Sequence, residues 1–327
     1  MKKKILLVGN YYPSYGGISA LMTNLANNLN HEGYSTKIYS LGKNKGILRL
    51  LNYIRLPLII LKFDIIHAHG CSSFGQIPII VSYFFSLLFK KYFIVTFHGS
   101  LNGSEKVAQN IFFKKIMSKS VIITTPTEIT SDIFTKSGFK SLAIPNILED
   151  NIWKYRKRKS IEPKLICTRS KYNPKLVIDT FLDVKKIYPN ASLIMLGEFI
   201  DKKIKKYAIS FDSITIIDNV PRSEVYKYLN VSDIYLNSCS NDSFGYSIFE
   251  ALLSGLAVVS IESPSLLKIF GKDVILFSSD TTTLAGEVLY LLQNQECVNL
   301  RVDKGLEICH RYTWNGLKNK WLPLYDY

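Results

Sequence analysis

Residues 231–260 read VSDIYLNSCSNDSFGYSIFEALLSGLAVVS, and the chemistry open to them guides the reading of the whole chain. Ile234–Leu236 is a short apolar run, Asn237–Ser243 is almost wholly polar, and Ile248, Leu252 and Leu253 recur at helical spacing before Gly255, a stop signal. The pattern predicts strand, polar loop, helix and strand, with the helix starting near Phe244 or Gly245 and Glu250 one to two turns inside it. Amides at such a helix start attract an anion, and the carboxylates of Asp242 and Glu250 accept hydrogen bonds from hydroxyl groups. A ligand carrying both sugar and phosphate would use both properties. Upstream, CTRSKYNPK places Arg169 at the end of a strand and Lys175 in the first turn of a helix after Pro174. A planar guanidinium fork and an ammonium point charge suit a diphosphate. Without a ligand the same residues would make an ordinary solvated surface.

The first half holds a second set of candidates. In GNYYPSYGG, Gly16 and Gly17 sit directly before a helix, where backbone amides can approach a phosphate without a Cβ in the way. The stretch lacks the GxGxxG spacing and the Walker lysine, which disfavours NAD and ATP. FDIIHAHG puts His67 and His69 on one face of a strand end, and TFHG brings His98 after the next strand. A histidine pair two residues apart invites a metal, but no carboxylate cluster or cysteine completes a ligand set, and no metal is expected.

The elements that must carry these groups alternate throughout. Strands are predicted at Lys4–Val8, Ser35–Ser40, Ile65–Ala68, Phe93–Phe97, Val121–Thr124 and Ser141–Ile144, with helices near Ile18–His31, Ile47–Leu61, Gln76–Phe89, Glu105–Ser118 and Ile129–Thr135. A second alternation follows, with strands at Lys164–Thr168, Ser192–Gly197, Ile214–Asp218, Ile234–Leu236, Ala257–Ser260 and Val274–Phe277. Its helices fall near Pro174–Ile187, Lys202–Ser210, Ser223–Leu229, Gly245–Leu253, Ser265–Phe270, Thr281–Leu292 and Val298–His310. Such alternation means an α/β protein with doubly wound parallel sheets. At 327 residues the chain is long enough for two cores. The expected domains are 1–150 and 164–312, joined by a linker at 151–163, with 313–327 as a terminal helix whose Trp314, Leu317 and Trp321 share one face.

The string from Asp242 to Ser260 resembles the signature of the retaining GT-B glycosyltransferases of family 4, the glycosyltransferases group 1. There a loop and helix carry two glutamates seven residues apart; here the second is Glu250 and the first position is Asp242. The resemblance covers nearly the whole chain and implies two Rossmann-like domains facing across a cleft. It implies transfer of a hexosyl group from a nucleotide-diphosphate sugar, UDP- or GDP-linked, to a hydroxyl of a glycan or lipid-linked acceptor, with retention at the anomeric carbon. By resemblance Arg169 and Lys175 hold the donor diphosphate, although Thr168 and Leu176 replace the glycines often found beside them. Asp242 with Ser243, Phe244, Gly245, Tyr246 and Ser247 holds the sugar, and Glu250 the ribose. Glu198 and Val220 lie near the base, and His98 beside the donor sugar. Gly16 and Gly17 meet the donor diphosphate or the acceptor, and His67 and His69 brace the sheet edge. No DxD string is present and no cofactor beyond the donor substrate is implied. Two rivals are a nucleotide-sugar 2-epimerase, which would release a free epimerised sugar, and a silent partner subunit that binds nucleotide sugar without turnover.

Charge adds a partner. Residues 1–159 carry 22 Lys/Arg against 7 Asp/Glu, while residues 160–327 carry 19 of each, so the whole net charge of +15 belongs to the first half and the run Arg156-Lys157-Arg158-Lys159. The sequence has no zinc-finger spacing, RNP string or clear helix-turn-helix to suggest nucleic acid, so an anionic membrane surface is the expected partner of the N-terminal domain. No run reaches the ~18 apolar residues of a membrane span. The five scattered cysteines show no CxxC spacing and fit a reducing compartment, so the expectation is a cytoplasmic protein, peripheral on the inner face of the membrane.

Overall fold

The computed structural model describes residues 2–12, 16–42, 46–71, 76–117, 121–149, 151–278 and 280–326. Two compact units emerge: Met1–Leu148 with Tyr312–Tyr327, and Glu149–Arg311. In the first unit, strands β1 (Lys4–Gly9), β2 (Ser35–Ser40), β3 (Ile65–Gly70), β4 (Tyr92–Phe97), β5 (Ile122–Thr125) and β6 (Lys140–Ala143) form a parallel sheet ordered β2-β1-β3-β4-β5-β6. Helices α1 (Gly17–His31), α2 (Gly46–Ile60), α3 (Ile77–Leu88), α4 (Leu101–Gln109), α5 (Ile111–Ile116) and α6 (Glu128–Lys136) connect them. The strand side chains alternate between two cores. Leu6 and Val8 join the cluster with Leu56, Ile79 and Phe113, while Ile5 and Leu7 join Leu21, Met22 and Leu25 of α1. A sheet covered on both faces explains the unbroken apolar run ILLV in β1.

The second unit repeats the plan with β7 (Lys164–Cys167), β8 (Ser192–Leu196), β9 (Ile214–Ile217), β10 (Ile234–Asn237), β11 (Ala257–Ile261) and β12 (Ile275–Ser278). All are parallel, in the order β12-β11-β10-β7-β8-β9. The helices are α7 (Pro174–Ile187), α8 (Lys202–Ile209), α9 (Arg222–Val231), α10 (Tyr246–Leu253), α11 (Pro264–Phe270), α12 (Thr281–Gln293) and α13 (Gln295–Arg311). The sheet leaves β7 in both directions, through β8 and β9 on one side and through β10, β11 and β12 on the other. The strand order therefore reverses between β7 and β10. In an open parallel sheet, ligands bind beyond the strand ends at that reversal.

After α13 the chain returns to the first unit as α14 (Trp314–Trp321) and a closing 3-10 turn, Leu322–Leu324. Leu317, Trp321, Leu324 and Tyr325 complete the α1-side core, with Trp314 packed against it. The Trp314 Nε1 donates to Glu32 (3.1 Å), and the Trp321 Nε1 donates to the Pro145 carbonyl (3.2 Å).

Several sequence expectations need correction. The single helix expected at Glu105–Ser118 is two, α4 and α5, separated by an extended Asn110. The Asn110 side chain accepts from the Phe113 amide and starts a new helix, the local competition that makes asparagine a capping residue. Ser118, at the end of that expected helix, lies outside the described residues. His67 and His69 do not stand at a sheet edge, because β3 is internal, paired with both β1 and β4.

The run Arg156-Lys157-Arg158-Lys159, within the expected linker at 151–163, groups with the second unit. Arg158 is buried, and its Nε donates to the Ser232 carbonyl (3.0 Å) and Asp233 (2.9 Å). One terminal nitrogen donates to the carbonyls of Arg156 and Ser254 at 2.8 and 2.7 Å, and the other to those of Leu229 and Ser232 at 3.0 and 2.5 Å. Arg156 also bonds Asp233. Burial, then the neighbouring Arg156, lowers the Arg158 pKa to about 10, still charged at neutral pH. Two of the four cations therefore tie the segment down through Asp233; Lys157 and Lys159 remain exposed.

Candidate functional site

Arg169 and Asp242 meet at the strand reversal of the second unit. Arg169 follows β7, Asp242 follows β10, and the two form an ion pair. The other Asp242 oxygen accepts from the amides of Phe244 (3.3 Å) and Gly245 (3.1 Å), at the start of α10. One carboxylate thus fixes both the arginine and the helix N-terminus. The Arg169 guanidinium also lies over the Tyr172 ring, 4.3 Å from its centroid. Burial works against its charge, but Asp242 outweighs that effect and the net shift raises the Arg169 pKa.

Gly245 shows why this loop is small. Its φ is +80°, and an added Cβ would lie 2.6 Å from Leu266 Cδ2, so both conformation and space require glycine. Helix α10 therefore begins at Tyr246, one residue after the sequence expectation. Ser243 and Tyr246 are half-buried and Phe244 and Ser247 buried, so the loop folds close over the helix start.

Glu250, on α10, is held by an arginine that the sequence reading did not single out. Arg222, first residue of α9, donates through Nε to Glu250 Oε1 (3.1 Å) and forms an ion pair with it, one terminal nitrogen also lying 3.1 Å away. Its other terminal nitrogen bonds Glu149, and its guanidinium lies 5.2 Å from the Trp153 ring centroid. Burial raises the Glu250 pKa, opposed by Arg222. Arg222 lies two residues after Val220, which the resemblance sets near the base, but its two acidic partners come from 73 and 28 residues away and left no local signal.

The remaining expected contacts are more dispersed. Lys175 is exposed and pairs with Asp179 one turn on (2.5 Å). Glu198 is exposed and Val220 half-buried, beyond β8 and β9. Cys239, the one cysteine in the loop after β10, is buried, and burial raises its pKa.

In the first unit the strand order reverses between β1 and β3. Gly16 caps α1 with φ +84°, and Gly17 is its first residue; residues 13–15 of the expected glycine loop lie outside the described residues. At the end of β1, a Cβ on Gly9 would stand 3.0 Å from the His69 carbonyl oxygen, so glycine lets the two strand ends close up. His69 Nδ1 and His98 Nε2 are 3.1 Å apart, with their rings stacked. His67 joins a separate chain. Thr124 Oγ1 donates to the Val95 carbonyl (3.1 Å), so it accepts from Thr96 (2.6 Å). Thr96 in turn accepts from His67 Nε2 (2.7 Å), which leaves His67 Nδ1 to accept from the Tyr325 hydroxyl (2.7 Å). Burial lowers the pKa of all three histidines, His67 and His98 to about 3, and keeps them neutral. Among the described residues no group of three His, Cys, Asp or Glu is placed to hold a metal ion, and no helix is long and apolar enough to cross a membrane.

Comparison with known proteins agrees with this layout. Over 100% of both chains the structure is similar to Anabaena Alr3699/HepE, solved with UDP and glucose, with a TM-score of 0.77 at 13% identity. It is similar to sucrose-phosphate synthase of Thermosynechococcus elongatus over 99% of this chain and 98% of that one, with a TM-score of 0.74 at 13% identity. Likeness at this identity shows the fold, which is that of the GT-B glycosyltransferases. Residues 165–305, within the second unit, match the family described as Glycosyl transferases group 1. A stretch of 139 residues is 25% identical to alpha-monoglucosyldiacylglycerol synthase of Acholeplasma laidlawii. The match spans 40% of this chain and 34% of that protein.

Proposed function

We propose that the protein is a retaining hexosyltransferase that moves a sugar from a UDP- or GDP-linked donor to a hydroxyl of a glycan or lipid-linked acceptor. The observation that carries this reading is the meeting of Arg169 with Asp242, whose carboxylate also holds the loop that leads into α10, at the strand reversal of the second unit. That point offers a guanidinium, helix amides and carboxylates within one loop cluster, the set a nucleotide-diphosphate sugar requires. The match of residues 165–305 to the group 1 family supports the same class, as do the UDP and glucose held by HepE.

Arg169 carries the electrostatic role. As the glycosidic bond breaks, negative charge grows on the departing diphosphate, and a cation already fixed there stabilises the transition state more than the ground state. Lys175 reaches the same charge by leaving Asp179, an exposed and weak partner. Glu250, oriented by Arg222, accepts the ribose hydroxyls. Asp242 positions Arg169 and, through the amides of Phe244 and Gly245, the loop that lies against the sugar. The leaving phosphate serves as the base for the acceptor hydroxyl. The first unit, with Gly16, Gly17 and His98 near its own strand reversal, is assigned to the acceptor, and its basic surface to an anionic membrane.

Incubation with labelled UDP- and GDP-sugars and a membrane extract tests the reading. Label in lipid or glycan is the expected result. A free epimerised sugar would overturn it for an epimerase, and tight donor binding without any product for a silent subunit.

A further inference from the structure

Helices α2 and α3 of the first unit pack on each other and leave apolar side chains uncovered. On α2, Ile47, Leu50, Ile54 and Leu58 follow helical spacing on the outer face, while Leu56 and Ile60 point into the core. Ile54 is 61% and Leu58 66% exposed. On α3, Phe84 and Leu87 are 62% and 59% exposed, while Ile79 and Tyr83 are buried in the core. Single exposed leucines are ordinary, but two packed helices that each present an apolar stripe make a contact surface.

Charge identifies what covers it. Residues 33–104 contain eight Lys/Arg and one acid, Asp64. Asp64 Oδ2 accepts from the Lys4 amide, so this single carboxylate is already engaged within the fold. Arg55, Lys62 and Lys90 are exposed on or just beyond the same two helices. A two-fold contact with a second copy would bring these cations against themselves, whereas an anionic surface neutralises them.

We propose that the α2–α3 face is the membrane-docking surface. Its apolar stripes enter the boundary between headgroups and acyl chains of an anionic bilayer, and Arg55, Lys62 and Lys90 meet the lipid phosphates. The arrangement is that of an interfacial helix pair, bound through apolar area and basic charge together. It rests on the membrane part of the proposed function and adds the face, its residues and an apolar component that charge alone would not require.

Co-sedimentation with phosphatidylcholine vesicles, with and without phosphatidylglycerol, tests it. The wild-type protein is expected on the anionic vesicles, with a part of the binding that survives high salt. The pair Ile54→Gln and Leu58→Gln, or Phe84→Gln with Leu87→Gln, should lower partitioning by about tenfold or more, since each change removes a side chain able to bury in the bilayer. These positions are exposed, so the thermal melt and nucleotide binding should stay at wild-type values. Wild-type partitioning by both variants would overturn the face and leave the membrane reading standing. Wild-type protein that pellets with neither vesicle overturns both. Self-association that the substitutions abolish, without vesicle binding, would assign the face to a second copy instead.

Discussion

Arg169 is bonded to Asp242, 73 residues further along the chain, and the same carboxylate accepts from the amides of Phe244 and Gly245. Asp242 is therefore at once an ion-pair partner and the acceptor that holds the loop just before α10. In the structure its two oxygens are engaged within the protein, which makes it the residue that sets the position of Arg169 and of the loop amides.

The first prediction separates those two duties. Asp242→Ala loses the two loop-amide bonds and the ion pair, and should lower stability by about 1–2 kcal/mol and catalytic efficiency by roughly 10- to 150-fold. Asp242→Asn keeps an oxygen for the amides but removes the charge beside Arg169, so activity should fall more than the melting temperature. Arg169→Ala should reduce turnover more than donor affinity, because its partner in the reaction is charge that develops in the transition state. Thermal melts and kinetics with the donor identified by screening check all three, and equal losses of stability and activity in Asp242→Asn would count against a positioning role.

The second prediction concerns Arg222, whose removal leaves Glu149 and Glu250 facing one another without their cation. Arg222→Met should cost about 3–5 kcal/mol, the usual result of breaking a buried pair on one side. Burial already raises the Glu250 pKa above the ordinary 4.5, and loss of Arg222 raises it further. A carboxyl group with a raised folded pKa binds more protons in the native state, so its contribution to stability declines as pH rises through that window. The variant's deficit should therefore be smaller near about pH 5 than near about pH 8. A chemical-denaturation series with the same deficit at both would refute the coupling. Glu250→Gln should mainly weaken nucleotide binding.

The third prediction sets Arg158 apart from its neighbours in the basic run. Arg158→Met strips one of the two arginine partners from buried Asp233 and five bonds from carbonyls, and should cost about 3–5 kcal/mol. Lys157→Gln and Lys159→Gln, both exposed, should stay within about 0.5 kcal/mol of wild type. Urea midpoints distinguish the two classes directly.

The fourth prediction follows from the neutral histidines of the first unit. The folded pKa of His67 is lowered from 6.5 to about 3 by burial, so between those values the unfolded chain binds more protons than the native one. The stabilisation is complete above about pH 6.5 and declines as pH falls toward about 3, with a loss of about 2 kcal/mol from His67 alone at pH 5. Melting temperatures measured from pH 8 down to 5 should fall, and His67→Phe should flatten that slope while lowering stability at pH 8 through the lost bonds to Thr96 and Tyr325. An unchanged slope in His67→Phe would remove His67 as its source.

The sequence by itself determined the order and type of nearly every element, because strand and helix periods are local properties of residues a few positions apart. The run ILLV, the polar loop at Asn237–Ser243 and the helical spacing of Ile248, Leu252 and Leu253 each gave their element, and the alternation gave two parallel sheets. Asn110 was missed as a break because capping competes with helix continuation within one turn, and composition favoured neither. Arg169, Asp242 and Glu250 were legible as candidates from residue type and resemblance. Only the tertiary structure decided what each one holds. The bond from Arg169 to Asp242, the pairing of Arg222 with Glu149 and Glu250, the burial of Arg158 and the chain from Tyr325 through His67 to Thr124 all join residues far apart in sequence. Charge counts treated Arg158 as surface and could not reveal the apolar faces of α2 and α3, because a sequence records how many apolar residues a helix carries but not which of its sides the fold leaves uncovered.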